Sequence, residues 1–250
     1  MAKNTPNRKT AFDALGYKET ISKVIQQTQE LYLSDDIPWV LGYSGGKDST
    51  AILQLVWKAI AALPKDKHIK PVHVISTDTL VENPIVAIWV KRSLTQMSQS
   101  AIDNDLPIKP HRLIPEVQNR FWVNLIGRGY PAPRPKFRWC TSRLKISPSN
   151  NFISKMVKTN GEAILILGTR KAESAARAAN MKKYEQGSTR DLLSRNRELD
   201  RVWVYTPISE WHDDDVWQYL MQEKNPWGFT NEELLNMYQG ATSDGECPLV

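Results

Sequence analysis

Six residues, Ser44-Gly45-Gly46-Lys47-Asp48-Ser49, bring glycines, hydroxyls and one lysine to the point where an apolar run gives way to a helical one. Such a loop suits a compact anion. Glycine lets backbone N–H groups approach a phosphate because no Cβ intervenes. A helix N-terminus adds unpaired donors and partial positive charge, and Lys47 adds a mobile full charge. Spacing excludes two commoner loops. Counting from Gly42, Lys47 takes the place of the second glycine of a Walker A loop, and no G-x-G-x-x-G fingerprint is present. A purely structural glycine turn is the alternative reading.

Further clusters follow other apolar runs. Asp78, in Ser76-Thr77-Asp78-Thr79, is a candidate for a ribose hydroxyl or a magnesium ion, with a turn or N-cap role as the alternative. Gly168-Thr169-Arg170-Lys171-Ala172-Glu173-Ser174-Ala175-Ala176-Arg177 places Arg170, Lys171 and Arg177 near an expected helix start. Cations there oppose the helix dipole unless an anion compensates; the alternative is a solvated charged helix. Residues 134–145 carry Arg134, Lys136, Arg138, Arg143 and Lys145, with Phe137 and Trp139 between them. Interleaved cations and rings suit phosphate contacts and base stacking, although the rings could equally anchor a core. The polar stretch with Lys182, Lys183, Arg190, Arg195, Arg197 and Arg201 would add a second contact surface. Cys140 lies inside the basic cluster and Cys247 lies three residues from the end. Neighbouring cations favour a Cys140 thiolate, so it could be a nucleophile, a sulfur carrier or a metal ligand; two thiols cannot complete a four-cysteine site, and the alternative is two inert cysteines.

The elements that must hold these residues alternate in type. Trp39–Tyr43, Val72–Thr77, Ile108–Ile114, Ala163–Gly168 and Val202–Tyr205 read as strands. The run 163–168 is continuously apolar, as in a strand covered on both faces. Ile21, Val24, Ile25, Thr28 and Leu31 mark a helix ending near Ser34, and Ile52, Leu55, Val56, Ala59, Ile60 and Leu63 mark another. Asn83-Pro84 is an N-cap followed by proline at N1. Asp213–Gln222 reads as a helix, and Thr230-Asn231-Glu232-Glu233 as a capping box. The pattern predicts a doubly wound, mostly parallel α/β sheet with helices on both faces. In such sheets ligands sit at the carboxyl ends of the strands, where the loop 44–49, Asp78 and Arg170 all fall. Residues 1–18 are expected to be a mobile basic arm, and 182–200 a mobile loop. Residues 19–250 are expected to form a single domain, helical from about 207.

Composition excludes little. The chain has 250 residues, 41% apolar and 24% charged, with a formal net charge of +6. That balance permits a polyanionic partner. No apolar run reaches the roughly 18–20 residues of a membrane span, and the N-terminus lacks a secretory pattern. Two cysteines make no disulfide framework, so the expected setting is the cytoplasm, without membrane attachment.

The string Ser44–Thr50 resembles the phosphate loop of the PP-loop ATP pyrophosphatases, which split ATP to AMP and pyrophosphate. Residues 168–177 are similar to the Gly-x-Arg-x-x-Glu-Ser segment of phosphoadenylylsulfate reductases, in which an aspartate like Asp78 also lies beside the nucleotide. Taken with residues 73–84, 121–141 and Asn225-Pro226-Trp227-Gly228, the blocks resemble the DndC family from about residue 19 onward. That family is the PP-loop component of bacterial DNA phosphorothioation. The resemblance implies an adenine nucleotide alpha hydrolase-like fold, ATP with magnesium, and a [4Fe-4S] iron–sulfur cluster. It also implies DNA, a cysteine desulfurase as sulfur donor and other Dnd-type modification proteins as partners. Cys140 and Cys247 would be two cluster ligands. Family members continue past Val250 into further cysteines, so a shortened chain with an incomplete ligand set is expected. A second copy supplying thiols would make it a homo-oligomer.

On this reading Ser44, Gly45, Gly46, Lys47, Asp48 and Ser49 hold the ATP phosphates, joined by Asp78, Lys171 and Arg177. Lys47, Asp48 and Arg170 are the catalytic candidates, and Arg134, Lys136, Arg138, Arg143 and Lys145 the DNA contacts. Two rivals stand beside it. One is a phosphoadenylylsulfate reductase-like enzyme using Cys247. The other is a non-catalytic module that binds nucleotide and DNA.

Overall fold

The computed structural model describes residues 10–185 and 192–239. Strand β1 (Trp39–Gly42) sits at the centre of the sheet and is buried on both faces: Trp39 and Leu41 point to one core layer and Val40 to the other. Strands β2 (Val72–Thr77), β3 (Ile108–Leu113), β4 (Ala163–Ile166), β5 (Leu193–Arg195) and β6 (Val202–Tyr205) complete a sheet of order β3-β2-β1-β4-β6-β5. All neighbouring pairs are parallel except β5 with β6. From β1 the chain adds β2 and β3 on one side, then returns to add β4 and β6 on the other. A crevice therefore opens between the carboxyl ends of β1 and β4, where ligands of such sheets bind.

Among the described residues, helices pack on both faces of the sheet in two layers. Helices α1 (Tyr17–Leu33), α2 (Lys47–Ala61) and α3 (Pro84–Asp103) cover the larger layer with α6 (Asp213–Gln222) and α7 (Asn231–Gln239). Helix α4 (Ser147–Asn160) covers the smaller one through Ile153, Phe152, Met156 and Val157. Ile164 and Ile166 of β4 are fully buried, and each stabilises the fold by roughly 1.5–3 kcal/mol. The expected cap of α3 is present: Asn83 Oδ1 accepts the Ile85 N–H at 2.9 Å, with Pro84 at the first position. At the amino ends of the strands, Lys70 is buried with its ammonium on the Asp35 carboxylate at 2.7 Å and over the Tyr32 and Trp39 rings. Burial lowers the Lys70 pKa, and Asp35 opposes that shift.

Three expectations differ from what the chain does. Residues 10–18, assigned to the arm, are packed: Phe12 is buried edge-on against Tyr17 and Trp211, because a large ring gains more from that cluster than from water. The polar stretch from 182 is ordered on both sides of the residues outside the description. A further helix, α5 (Ala175–Glu185), runs through its start, and β5 pairs with β6 in its middle. The helix expected around Arg170 begins later; a 3₁₀ turn over Lys171–Glu173 precedes α5. Arg190, Cys247 and residues 1–9 lie outside the described residues.

Candidate active site

The loop 44–46 leaves β1 and enters α2 at the switch point between β1 and β4. Gly45 has φ 80°, a left-handed conformation that costs a side chain about 1–2 kcal/mol. A Cβ there would also lie 2.6 Å from Val90 Cγ2. Trp89 Nε1 donates to the Gly45 carbonyl at 3.2 Å, so α3 holds the back of the loop. Ser49 Oγ, 3.1 Å from Ser44 Oγ, accepts the Ser44 N–H and donates to the Gly46 carbonyl, which fixes the loop from within. Behind it, the buried hydroxyls of Tyr43, Thr50 and Ser93 gather among themselves, and burial raises the Tyr43 pKa.

The end of β4 closes on the loop. A Cβ at Gly168 would lie 2.9 Å from the backbone carbonyl of Asp48, so glycine permits the approach. Two residues on, Arg170 is buried. Its Nε stands 2.7 Å from Asp48 Oδ1, too oblique for a good hydrogen bond, and its Nη2 bonds Asp213. Lys47 Nζ lies 3.6 Å from Asp48 and 3.7 Å from Asp213. Two cations and two carboxylates thus face each other across the crevice. Burial alone would lower the Arg170 pKa, but Asp48 and Asp213 raise it. Burial alone would raise the Asp213 carboxyl, but Lys47 and Arg170 hold it below the usual carboxylate value. Both groups stay charged across the neutral range.

Of the sequence-derived candidates, the structure unites Ser44, Gly45, Gly46, Lys47, Asp48, Ser49 and Arg170. It disposes of the others differently. Asp78 Oδ1 accepts the Leu80 N–H at 2.8 Å and its other oxygen takes Arg112, so it acts in the turn that follows β2. Lys171 pairs with Glu210 at 2.5 Å, and Arg177 with Glu173 one turn away. Glu173 also accepts the Arg170 N–H at 2.7 Å, so these acids brace the segment that presents Arg170. Sequence reasoning missed Asp213, which signalled only a helix start, and Tyr238, whose hydroxyl accepts the Lys47 N–H at 3.0 Å.

The basic cluster belongs to an excursion between β3 and α4, built from π-helical turns at Val123–Gly127 and Thr141–Ile146. Trp139 stacks on Phe121 at 5.4 Å and donates to the Pro131 carbonyl; it is an anchor, whereas Phe137 is exposed. Arg143 braces Asn119 and Tyr130, and Lys145 pairs with Glu82. Arg134, Lys136 and Arg138 are exposed, and no acidic partner meets them among the described residues. Cys140 is a free, half-buried thiol at the start of the second π turn. Among the described residues no group of three or more His, Cys, Asp or Glu could hold a metal ion, and no helix is long and apolar enough to cross a membrane. Two cysteines in 250 residues cannot supply the four thiolates of a cubane cluster, so the donors present do not fit one.

An uncharacterized protein of Methanocaldococcus jannaschii is 28% identical over 190 residues, a match covering 76% of this chain. The same match covers 32% of that protein, so the chain spans about a third of the length of this curated relative. Among solved structures, phosphoadenylyl-sulfate reductase from Candida auris in a phosphate complex is similar at 12% identity and a TM-score of 0.49, over 90% of this chain and 94% of that one. The U34-tRNA thiolase NcsA of Methanococcus maripaludis, solved with its [4Fe-4S] cluster, is similar at 15% identity and a TM-score of 0.47, over 92% and 76%. The model of one family, the phosphoadenosine phosphosulfate reductase domain, matches residues 38–228, and the chain belongs to that family.

Proposed function

We propose that this chain is an AMP-forming ATP pyrophosphatase that activates a DNA backbone phosphate for replacement of oxygen by sulfur. The observation that carries the nucleotide half is the crevice itself: a glycine-bent loop at a helix N-terminus, with Lys47 and the buried Arg170 facing it. Mg-ATP enters as substrate with its phosphates on residues 44–49. Lys47 and Arg170 offset the charge that grows on the departing pyrophosphate, a contribution that is large where water is excluded. Asp48 holds Arg170 in place. A DNA phosphate oxygen attacks the α-phosphorus, the bond to the β-phosphate oxygen breaks, and an adenylated DNA phosphate forms. A sulfur nucleophile at the hydrosulfide level then displaces AMP. A cysteine desulfurase and other Dnd-type proteins are the proposed source of that sulfur, delivered as a persulfide that a thiol reductant reduces to hydrosulfide as the thiol is oxidised to disulfide. The exposed Arg134, Lys136, Arg138 and Phe137 are the proposed DNA contacts. No step is assigned to a cluster.

Incubation with Mg-ATP, with and without DNA, followed by separation of AMP from ADP, tests this reading. AMP and pyrophosphate are the expected products, and Lys47→Ala is expected to slow their formation about 100- to 1,000-fold. No AMP under any condition overturns the reaction, and an undiminished Lys47→Ala rate overturns the role of that lysine. The family match favours a second reading, a sulfonucleotide reductase. Sulfite release from phosphoadenylylsulfate with a thiol reductant would decide for it.

A further inference from the structure

The donor and the cations that a phosphate would need are already engaged by the protein. Tyr238, near the end of α7, is 2% exposed. Its hydroxyl accepts the backbone N–H of Lys47 at 3.0 Å, and its ring lies 5.5 Å from Lys47 Nζ. Trp217 of α6 braces that ring edge-on at 5.2 Å. Lys47 opens α2, so this N–H is one of the donors that the helix itself leaves without a partner. A few ångströms away the Asp213 carboxylate engages Arg170 and Lys47 together, although its side chain is 61% exposed. One neutral acceptor and one carboxylate, both from the α6–α7 pair, therefore engage the donor and cations that a phosphate at this loop would use.

The two ends of α7 are held differently. At its start, Asn231 is buried and bound to Gln54 at 2.7 Å, to the Leu220 carbonyl at 2.7 Å and to the Glu223 carbonyl at 2.9 Å. At its far end, Tyr238 ties the helix to the loop after β1 through its bond with the Lys47 N–H. A single N–H makes one short, straight bond, so a phosphate oxygen on Lys47 N–H must displace the tyrosine hydroxyl. Asp213, at the solvent edge, can swing away once an anion takes its two cations.

We infer that Tyr238 and Asp213 are a self-occupancy latch: polyphosphate binding at the loop releases the Tyr238 hydroxyl from Lys47 N–H and loosens the far end of α7 relative to its anchor at Asn231. The closed form lowers apparent affinity by the fraction of molecules that must open. The inference rests on the reading of residues 44–49 as a phosphate site. It goes further in making α7 the element that reports occupancy of that site.

Calorimetric titration of the full chain with inorganic pyrophosphate and magnesium, in the wild type, Tyr238→Phe and Asp213→Asn, tests the latch. Tyr238→Phe keeps the ring and removes one neutral hydrogen bond, so it is expected to bind pyrophosphate about fivefold more tightly. Asp213→Asn is expected to bind more tightly as well. Hydrogen exchange on the wild type needs no variant: protection across α7 is expected to fall when pyrophosphate is added. Equal or weaker binding by Tyr238→Phe, or unchanged or increased protection of α7, overturns the latch and leaves the loop as a phosphate site. Absence of pyrophosphate binding in all three proteins overturns the reading of the loop and the latch with it.

Discussion

Arg170 shows how much one buried cation depends on its neighbours. It is held by Asp48 from the helix after β1, by Asp213 from α6 and by Glu173 from its own turn. Type and position suggested it together with Lys171 and Arg177, and only the fold separates them: the other two spend their charge on surface acids. Asp213 and Tyr238 were not legible, because nothing local distinguishes them from any helix-opening aspartate or any apolar-face tyrosine. Both meet Lys47, more than 160 positions earlier in the chain, and Asp213 also meets Arg170. Gly45, in contrast, was legible, and the structure gives its requirement a cause. Gly45→Ala adds a positive-φ side chain and a contact 2.6 Å from Val90 Cγ2. It is expected to lower stability by about 1–3 kcal/mol and to abolish pyrophosphate binding. Val90→Ala in the same background is expected to return part of the stability, since the clash is removed while the φ strain stays. Thermal unfolding and calorimetry read the two effects separately. Full stability in Gly45→Ala would mean that the loop relaxes to another path.

Among the elements, those with strong periodicity or clear caps were read closely: β2, β6 and α6 have the expected bounds, and Asn83-Pro84 opens α3 as expected. The π-helical excursion and the edge strand β5 were not, since both are decided by tertiary partners: β5 by its antiparallel register on β6, the excursion by the Phe121–Trp139 stack. The edge pair β2–β3 carries a further property invisible to pattern reading. Register places His73 opposite Lys109 and Ile75 opposite His111, so the two imidazoles are diagonal neighbours. His73 Nδ1 lies 2.9 Å from His111 Nε2, and both rings pack on Phe152. Burial, then His111 and Lys109, lower the His73 pKa to about 4; burial and Lys109 also lower that of His111. With folded pKa values below the unfolded 6.5, the unfolded chain binds more protons in that interval. The pair therefore contributes full stability above pH 6.5 and loses it as pH falls toward 4. Each such proton contributes a slope of up to about 1.4 kcal/mol per pH unit. His73→Gln is expected to flatten the pH dependence of the denaturation midpoint between pH 6.5 and 4.5. An unchanged slope would place the acid sensitivity elsewhere.

At the scale of the molecule, a net charge of +6 says only that an anionic partner is permitted; distribution decides where one would bind. Within the basic excursion, Arg143 and Lys145 are engaged internally, whereas Arg134, Lys136 and Arg138 face solvent beside the exposed Phe137. Exposed cations without acidic partners give up no internal ion pair on meeting phosphate, so their contribution is the release of counterions from the nucleic acid. Each phosphate neutralised steepens the fall of log affinity with log salt by about 0.9 for duplex DNA. Replacing Arg134, Lys136 and Arg138 with alanine is therefore expected to reduce the slope by about 2 to 3. Arg143→Ala, which loses its brace to Tyr130, is expected to act instead through the stability of the excursion, seen as a lower unfolding temperature. Fluorescence anisotropy of a labelled duplex across a salt series measures the slopes. A triple variant with the wild-type slope would remove this face from the DNA contact.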